Sequence, residues 1–223
     1  NELEYAYQTS WGVSTRLIGA DIMVHGDDSG LVLPPYLAPT QVVIVPIAAN
    51  DQVNETALNL KNELEAKGIR VLLDDTKKSP GWKFAEYEMK GVPLRIEVGP
   101  RDLEHGNVQV VFRHTREKSL LAVSDVVDFV EPAMKKMHDE MYENAVNHVN
   151  NHTNQATTYE EFKNHLKNGG YIKMSVSGED AEIQIKAETG ATARVIVDEP
   201  LVTETCPVTG KPATMTILFA RAY

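Results

Sequence analysis

The segment from Gln41 to Leu73 constrains the fold more than any other. Gln41 to Ile47 is a continuous run dominated by β-branched residues, the pattern of a strand buried on both faces. Val53, Ala57, Leu60 and Leu64 then recur at helical spacing within Val53 to Lys67, and Gly68 ends the pattern. Ile69 to Leu73 is a second apolar run. Strand, helix and strand in this order form a right-handed crossover onto a parallel sheet, so an α/β domain is expected.

The sheet continues through residues 81 to 118. Trp82 to Lys90 reads as a helix with Trp82, Ala85 and Met89 on a buried face and Phe84 and Glu88, four apart, sharing a second face. Gly91 stops it, and Val92-Pro93 forces an extended entry into the next strand. There Leu94, Ile96 and Val98 alternate with Arg95 and Glu97, which places the first set inward and the second outward. Val108 to His114 is expected to pair beside it, giving a mixed sheet.

An aromatic ring, a carboxylate and cationic donors on one stretch are the groups that read a splayed-out single-stranded base. A carboxylate such as Glu88 can accept from the Watson-Crick donors of guanine, while Arg95 or Lys118 can donate to its acceptors. The plainer reading is an amphipathic helix and edge strand with solvated charges. The chain has 32 acidic and 22 basic residues, an unusual balance for an RNA binder. From Lys77 to Lys118, however, nine basic residues face six acidic ones, so the window is positive by three and the remainder negative by thirteen.

Three pieces of this stretch, SPGWKF, EYEMKGVPLRIEVGPRDLE and REK, resemble the anticodon-binding domain of prolyl-tRNA synthetases of the archaeal and eukaryotic type. The resemblance implies that Phe84, Glu88, Arg95 and Lys118 line a pocket for the two guanines of a proline anticodon. It extends to the amino-terminal flank. Alternating Leu3, Tyr5 and Tyr7 read as a strand, and Trp11 to Gly26 reads as a strand running into a glycine-bounded helix. The latter is similar to motif 3 of class II aminoacyl-tRNA synthetases, which implies that Arg16 and Ser14 hold ATP while Trp11 and Gly12 shape the floor of the amino-acid pocket. Asp27 to Gly30 reads as a turn, and Leu31 to Leu33 as a last strand before a Pro34-Pro35 linker.

The other two class II motifs, which supply the dimer contact and a second ATP-binding arginine, have no counterpart here. The resemblance therefore implies the carboxy-terminal portion of a longer ligase, with residues 1–36 as the edge of the catalytic domain, 37–140 as the anticodon-binding domain and 141–223 as the carboxy-terminal domain. The expected fold is an α/β anticodon-binding domain with a mixed sheet flanked by helices, preceded by a remnant of the catalytic antiparallel sheet and followed by a small α+β domain. No catalytic residue is assigned. ATP, Mg2+, proline, proline tRNA and a homodimeric state belong to the full-length enzyme that the resemblance implies. The alternative is a non-catalytic RNA-binding or scaffold module that keeps the synthetase fold.

Beyond Ser124, a candidate helix cap, Val127, Val130, Met134, Met137, Met141, Ala145 and Val149 form one helical stripe. Helix Tyr159 to Lys167, a stop at Gly169-Gly170 and strand Tyr171 to Val176 open the last domain, whose expected core is Ile183, Ile185, Val195, Val197, Ile217 and Phe219. In the resembling family this domain often holds zinc on four cysteines. Here Cys206 stands alone, with Ser177 and Thr209 at ligand positions, so no zinc is expected. Leu218 to Tyr223 is like the family's ending, which places the terminal carboxylate toward the active site. Asp74-Asp75 reads as an acidic loop rather than a metal site, and His148 and His152 lack a third ligand. A single cysteine excludes an intramolecular disulfide, and no apolar run approaches the ~20 residues of a membrane span. With no signal peptide visible, the triplets at Asn54 and Asn151 are not expected to be glycosylated and the chain is expected in the cytoplasm.

Overall fold

The β-branched run forms β1 (Val42–Pro46), and its side chains enter two different cores, as a computed structural model describing residues 4–48 and 50–222 shows. Val42 and Ile44 join one apolar cluster with Val53, Ala57, Leu60 and Leu64 of α2 (Asp51–Ala66), the four positions that the spacing predicts. Val43 and Val45 join another with Tyr87 and Phe84 of α3 (Pro80–Met89). Asn50 starts α2 by accepting the Val53 N–H at 2.8 Å.

Around β1 lies a five-stranded sheet in the order β2-β1-β3-β4-β5, with β2 (Val71–Leu73), β3 (Leu94–Val98), β4 (Asn107–Phe112) and β5 (Lys118–Ala122). β1 is parallel to β2 and β3, while β3, β4 and β5 run antiparallel, so the sheet is mixed. A short helix, α4 (Pro100–Leu103), joins β3 to β4.

The long helix α5 (Val126–Asn151) covers the same face as α2 through Val126, Val130, Ala133, Met134, Met137 and Met141. It follows a short 3-10 turn, Val123–Asp125, in which the Ser124 hydroxyl donates to the Asp125 carboxylate and so does not act as the expected cap. Past Met141 the expected stripe loses its core: Ala145 is only half-buried and Val149 is exposed.

The chain divides into two compact units, Asn1–Glu143 and Asn144–Tyr223. Within the first, α1 (Arg16–His25) forms as expected but buries none of its residues. No strand forms in residues 4 to 15, and Leu3 lies outside the described residues. A strand needs a neighbour for its N–H and C=O groups, and among the described residues none runs beside this segment. Of the expected antiparallel remnant, the described residues show only the Asp27↔Gly30 bridge closing the predicted turn. Leu31 to Leu33 form no strand: the Leu31 N–H donates to the Met89 carbonyl at the end of α3 and the Leu33 N–H to the Gly91 carbonyl just beyond it.

The second unit is a four-stranded sheet in the order β6-β7-β9-β8, formed by β6 (Thr153–Gln155), β7 (Tyr171–Val176), β8 (Ala191–Val197) and β9 (Met215–Arg221). Two helices accompany it, α6 (Tyr159–Lys167), opened by a reciprocal Thr158–Glu161 capping box, and α7 (Glu179–Thr189). Ile185, Ile217 and Phe219 enter the core as expected, together with Phe162, Ile172, Met174, Ala181 and Cys206. Ile183 and Val195 do not, being exposed, and Val197 is half-buried. α7 turns Ala181 and Ile185 inward, four apart, which puts Ile183 on its outer side, and a register shift between Ala193 and Val195 breaks the alternation of β8.

Candidate nucleic-acid interface

Ser79 and Pro80 start α3, the Ser79 hydroxyl accepting the Trp82 N–H. The helix is rotated from its expected setting: Trp82, Ala85 and Met89 face solvent, and Lys83 and Tyr87 are buried. The cause is a polar anchor in the interior. Asp74, 4% exposed at the end of β2, accepts from Tyr87 Oη at 2.9 Å and from Thr76 Oγ1 at 2.6 Å. Lys83 Nζ donates to the Asp74 carbonyl at 2.7 Å and lies 3.3 Å from its carboxylate. Burial alone would raise the Asp74 pKa, but the hydrogen bonds from Thr76, Tyr87 and Lys83 hold it below its ordinary value. Burial, and then the Asp74 carboxylate, push the Tyr87 phenol up. Asp74 is thus an interior anchor and not part of a solvated acidic loop, and apolar periodicity cannot reveal a helix face built on lysine and tyrosine.

This rotation turns Phe84 and Glu88 toward β3. The Arg95 guanidinium lies 4.2 Å from the Phe84 ring centroid, donates through Nη1 to Glu88 Oε1 at 3.1 Å and through Nε to Glu97 Oε1 at 3.0 Å. Contrary to the outward placement expected from alternation, Arg95 and Glu97 are 6% and 5% exposed. They do point away from Leu94, Ile96 and Val98, but into the side of the sheet where α3 packs. Both faces of β3 are covered, so alternation there separates two interiors.

Strand register completes the site. Arg95 opposes Val111, which opposes Lys118, and in the next row Glu97 opposes Gln109, which opposes Leu120. Directly opposed residues share a face, so both rows run from beneath α3 toward the outer strand β5. Lys118 Nζ approaches Glu97 Oε1 at 3.9 Å. The side chains of Arg95 and Glu97 form a closed floor, 8% and 7% exposed, whereas Glu88 and Lys118 are 34% and 51% exposed at the rim. The structure therefore brings Phe84, Glu88, Arg95 and Lys118 into one cluster. Glu97, which bonds Arg95 and approaches Lys118, escapes a reading by alternation alone; a count of register across β3, β4 and β5 is the signal that finds it.

Such a cluster offers a rim carboxylate that accepts from base N–H groups and a rim ammonium that donates to base oxygens and ring nitrogens. Three of the Arg95 contacts are to carboxylates, so its geometry suits holding Glu88 and Glu97 in place. Lys77 and Lys78 are exposed in the loop before α3, with Lys78 Nζ 3.1 Å from the Trp82 ring centroid.

The remaining predicted residues are arranged differently. Trp11, Gly12, Ser14 and Arg16 are all exposed, and the bond joining them is from the Arg16 N–H to Ser14 Oγ at 3.3 Å. Ser177 Oγ lies 2.9 Å from Thr209 Oγ1, with the buried Cys206 thiol beside them. Burial would raise that thiol, but hydrogen bonds from Thr209, Val208 and Ser177 bring it below its ordinary value. One sulfur and two mutually bonded hydroxyls do not fit a closed tetrahedral thiolate site. His148 and His152 stack at 4.1 Å, and among the described residues no three His, Cys, Asp or Glu side chains gather as metal ligands. No described helix is long and apolar enough to cross a membrane. Tyr223, and with it the terminal carboxylate, lies outside the described residues.

Comparison with known proteins places both units. Residues 41–132 match the family described as "Anticodon binding domain", and residues 159–223 match "Prolyl-tRNA synthetase, C-terminal". The chain is 54% identical over 224 residues to a proline-tRNA ligase of Aster yellows witches'-broom phytoplasma, covering 100% of this chain and 47% of the relative. It is 52% identical over 221 residues to that of Phytoplasma australiense, covering 99% and 46%. For the proline-tRNA ligase of Acetoanaerobium sticklandii the identity is 50% over 228 residues, covering 100% and 47%. The chain thus spans about half the length of the curated relatives that it matches.

Proposed function

The chain belongs to the prolyl-tRNA synthetase family, and from that premise we propose that it is the anticodon-reading carboxy-terminal portion of a proline-tRNA ligase. The observation that carries this is the cluster with a closed Arg95–Glu97 floor and an open rim of Glu88 and Lys118, set between α3 and β5. Glu88 accepts from the donor edge of an anticodon guanine, Lys118 donates to guanine acceptors, and Arg95, stacked on Phe84, fixes the geometry of both carboxylates. The arrangement suits the task, because a rim carboxylate already held by the Arg95 guanidinium loses less freedom when it meets a base.

In the whole enzyme that this reading implies, a homodimer in the cytoplasm joins proline to its tRNA through a prolyl-adenylate, with ATP and Mg2+. Ser14 and Arg16 would contribute to the ATP site and Trp11 and Gly12 to the amino-acid pocket, as one edge of a catalytic domain in residues 1–36. Residues 37–140 would be the anticodon-binding domain and residues 141–223 the carboxy-terminal domain, without zinc. The isolated chain should therefore bind a proline anticodon stem-loop and show no proline-dependent ATP-pyrophosphate exchange.

The test compares that stem-loop with one in which both guanines are adenine. Glu88→Ala should reduce the preference for guanine by about tenfold, the weight of one good base-edge contact. Equal losses on the two loops would remove Glu88 from the base-reading role.

A further inference from the structure

One further ion pair of the first unit has a buried guanidinium and a partly exposed carboxylate, and it reaches the cluster described above only through the backbone of Glu88. The Arg113 side chain, 1% exposed, forks onto both oxygens of Asp27 through Nη1 at 2.8 Å and Nη2 at 2.7 Å. Its Nε donates to the backbone carbonyl of Glu88 at 2.8 Å. Asp27 also accepts the Ser29 N–H at 2.9 Å, and Arg116 closes the loop by donating to Ser29 Oγ at 2.6 Å.

A second set of contacts ties the same two segments. The Leu31 N–H donates to the Met89 carbonyl at 3.0 Å and the Leu33 N–H to the Gly91 carbonyl at 3.4 Å. Between them the two backbones approach so closely that only glycine fits. A Cβ on Gly30, at φ +131°, would lie 2.6 Å from the Met89 backbone, and one on Gly91, at φ +69°, 2.7 Å from Leu31. The segment that leaves α1 at Gly26 is thereby fastened to the last turn of α3, the turn that carries Glu88.

We propose that Asp27 and Arg113 are positioning residues for the base reader Glu88, and that they make the segment leaving α1 and the end of α3 shift as one piece. The inference rests on the reading of Glu88 as a base contact. A recognition group has to be held to within about half an ångström of its productive position. Glu88 sits near the end of a ten-residue helix, where turns open most readily, and the Arg113 fork pins that turn through its backbone. Coupling of this kind is reciprocal: a base bound at Glu88 stiffens residues 26 to 33, and a change in their setting alters the base preference. α1 begins at Arg16, the residue proposed above for ATP, so the fastened piece connects the two sites within this unit.

Asp27→Asn is the deciding variant, because the Asp27 side chain is 35% exposed and the change keeps its shape while removing its charge. The guanine and adenine stem-loops are titrated against it, and hydrogen exchange is followed at the Leu31 and Leu33 amides. The guanine preference should fall about fivefold, within the usual range for coupled sites. Exchange at both amides should quicken, and the guanine loop should slow it in the parent chain but not in the variant. Arg113→Lys, which keeps the charge and loses the fork, should behave like Asp27→Asn. An unchanged preference in Asp27→Asn, with the Glu88→Ala loss intact, overturns the positioning role and leaves the base reading standing. An equal loss on both loops overturns it as well, by showing a structural effect alone. If Glu88→Ala itself spares the preference, the base reading falls and takes this inference with it.

Discussion

Arg95→Ala should destabilise the first unit by about 3 kcal/mol, because it strips a buried carboxylate of its partner and not because it removes a surface charge. Removing one member of a buried pair costs about 3 to 5 kcal/mol. The Glu97 side chain, 7% exposed, would keep only Lys118 at 3.9 Å, and a pair with an exposed lysine contributes at most about 1 kcal/mol. Loss of the stacking on Phe84 adds about 0.5 to 2 kcal/mol. The contact with Glu88, a third exposed, adds little. The partial compensation by Lys118 places the sum near the lower bound. At a urea slope of about 2 kcal/mol/M the midpoint should fall by about 1.5 M. Tryptophan fluorescence reads the transition, since Trp11 is already 95% exposed and the change on unfolding comes from Trp82 on α3. Arg95→Ala combined with Glu97→Gln should recover at least about 1 kcal/mol by removing the orphaned charge. A midpoint within about 0.3 M of the parent would show that water already serves Glu97, and would refute the closed floor.

Among the carboxyls that the fold holds below their ordinary values, Asp27 and Asp74 should respond to acid. The Asp27 carboxyl is held below its ordinary 3.8 chiefly by its hydrogen bond from Arg113, and Asp74 is lowered by its hydrogen bonds against the opposing effect of burial. Because the unfolded chain binds these protons more tightly, their stabilisation is complete above pH about 4 and is lost as pH falls through the depressed folded values. The urea midpoint should be flat from pH 7 to 5 and decline below about 4, less steeply in Asp27→Asn; an identical decline would show that Asp27 is not linked to folding. Lys77→Ala should weaken guanine and adenine loops alike and reduce the salt slope by roughly 0.7, whereas Lys118→Ala should act mainly on the guanine loop. The same salt slope in Lys77→Ala and the parent would remove Lys77 from the phosphates. Protein purified without a histidine tag should contain no stoichiometric zinc by elemental analysis, and its melting should be indifferent to a chelator; one zinc per chain would mean that other ligands had been overlooked.

The elements most legible in the sequence are those governed by one period and one boundary. α2 declares all four of its buried positions by spacing, and α6 occupies the expected Tyr159 to Lys167 and ends before the glycine pair. α3 and β3 are less legible for a shared reason: each presents polar side chains to an interior. Lys83 and Tyr87 serve Asp74, and Arg95 serves Glu97, so a rule that sends charge to solvent inverts the face. Glu88, Arg95 and Lys118 are suggested by side-chain chemistry and joined with Phe84 by resemblance, and only the strand register explains why Lys118, on β5, meets Glu97 of β3. The Asp27–Arg113 fork joins residues 86 apart, a separation that no local pattern records.

The two-sided burial of β3 also bears on how such a reader can change over evolutionary time. Where recognition depends on surface residues, single substitutions can explore new preferences while the fold is untouched. Here the residue that orients Glu88 lies in the interior, bonded to a second interior charge, and both must be satisfied for the sheet to close. If Glu88 reads guanine as proposed, a variant that lost that preference through Arg95 would lose folded protein in the same step. On the proposed reading of Glu88, base preference and foldedness would then be selected together, since the same interior pair carries both.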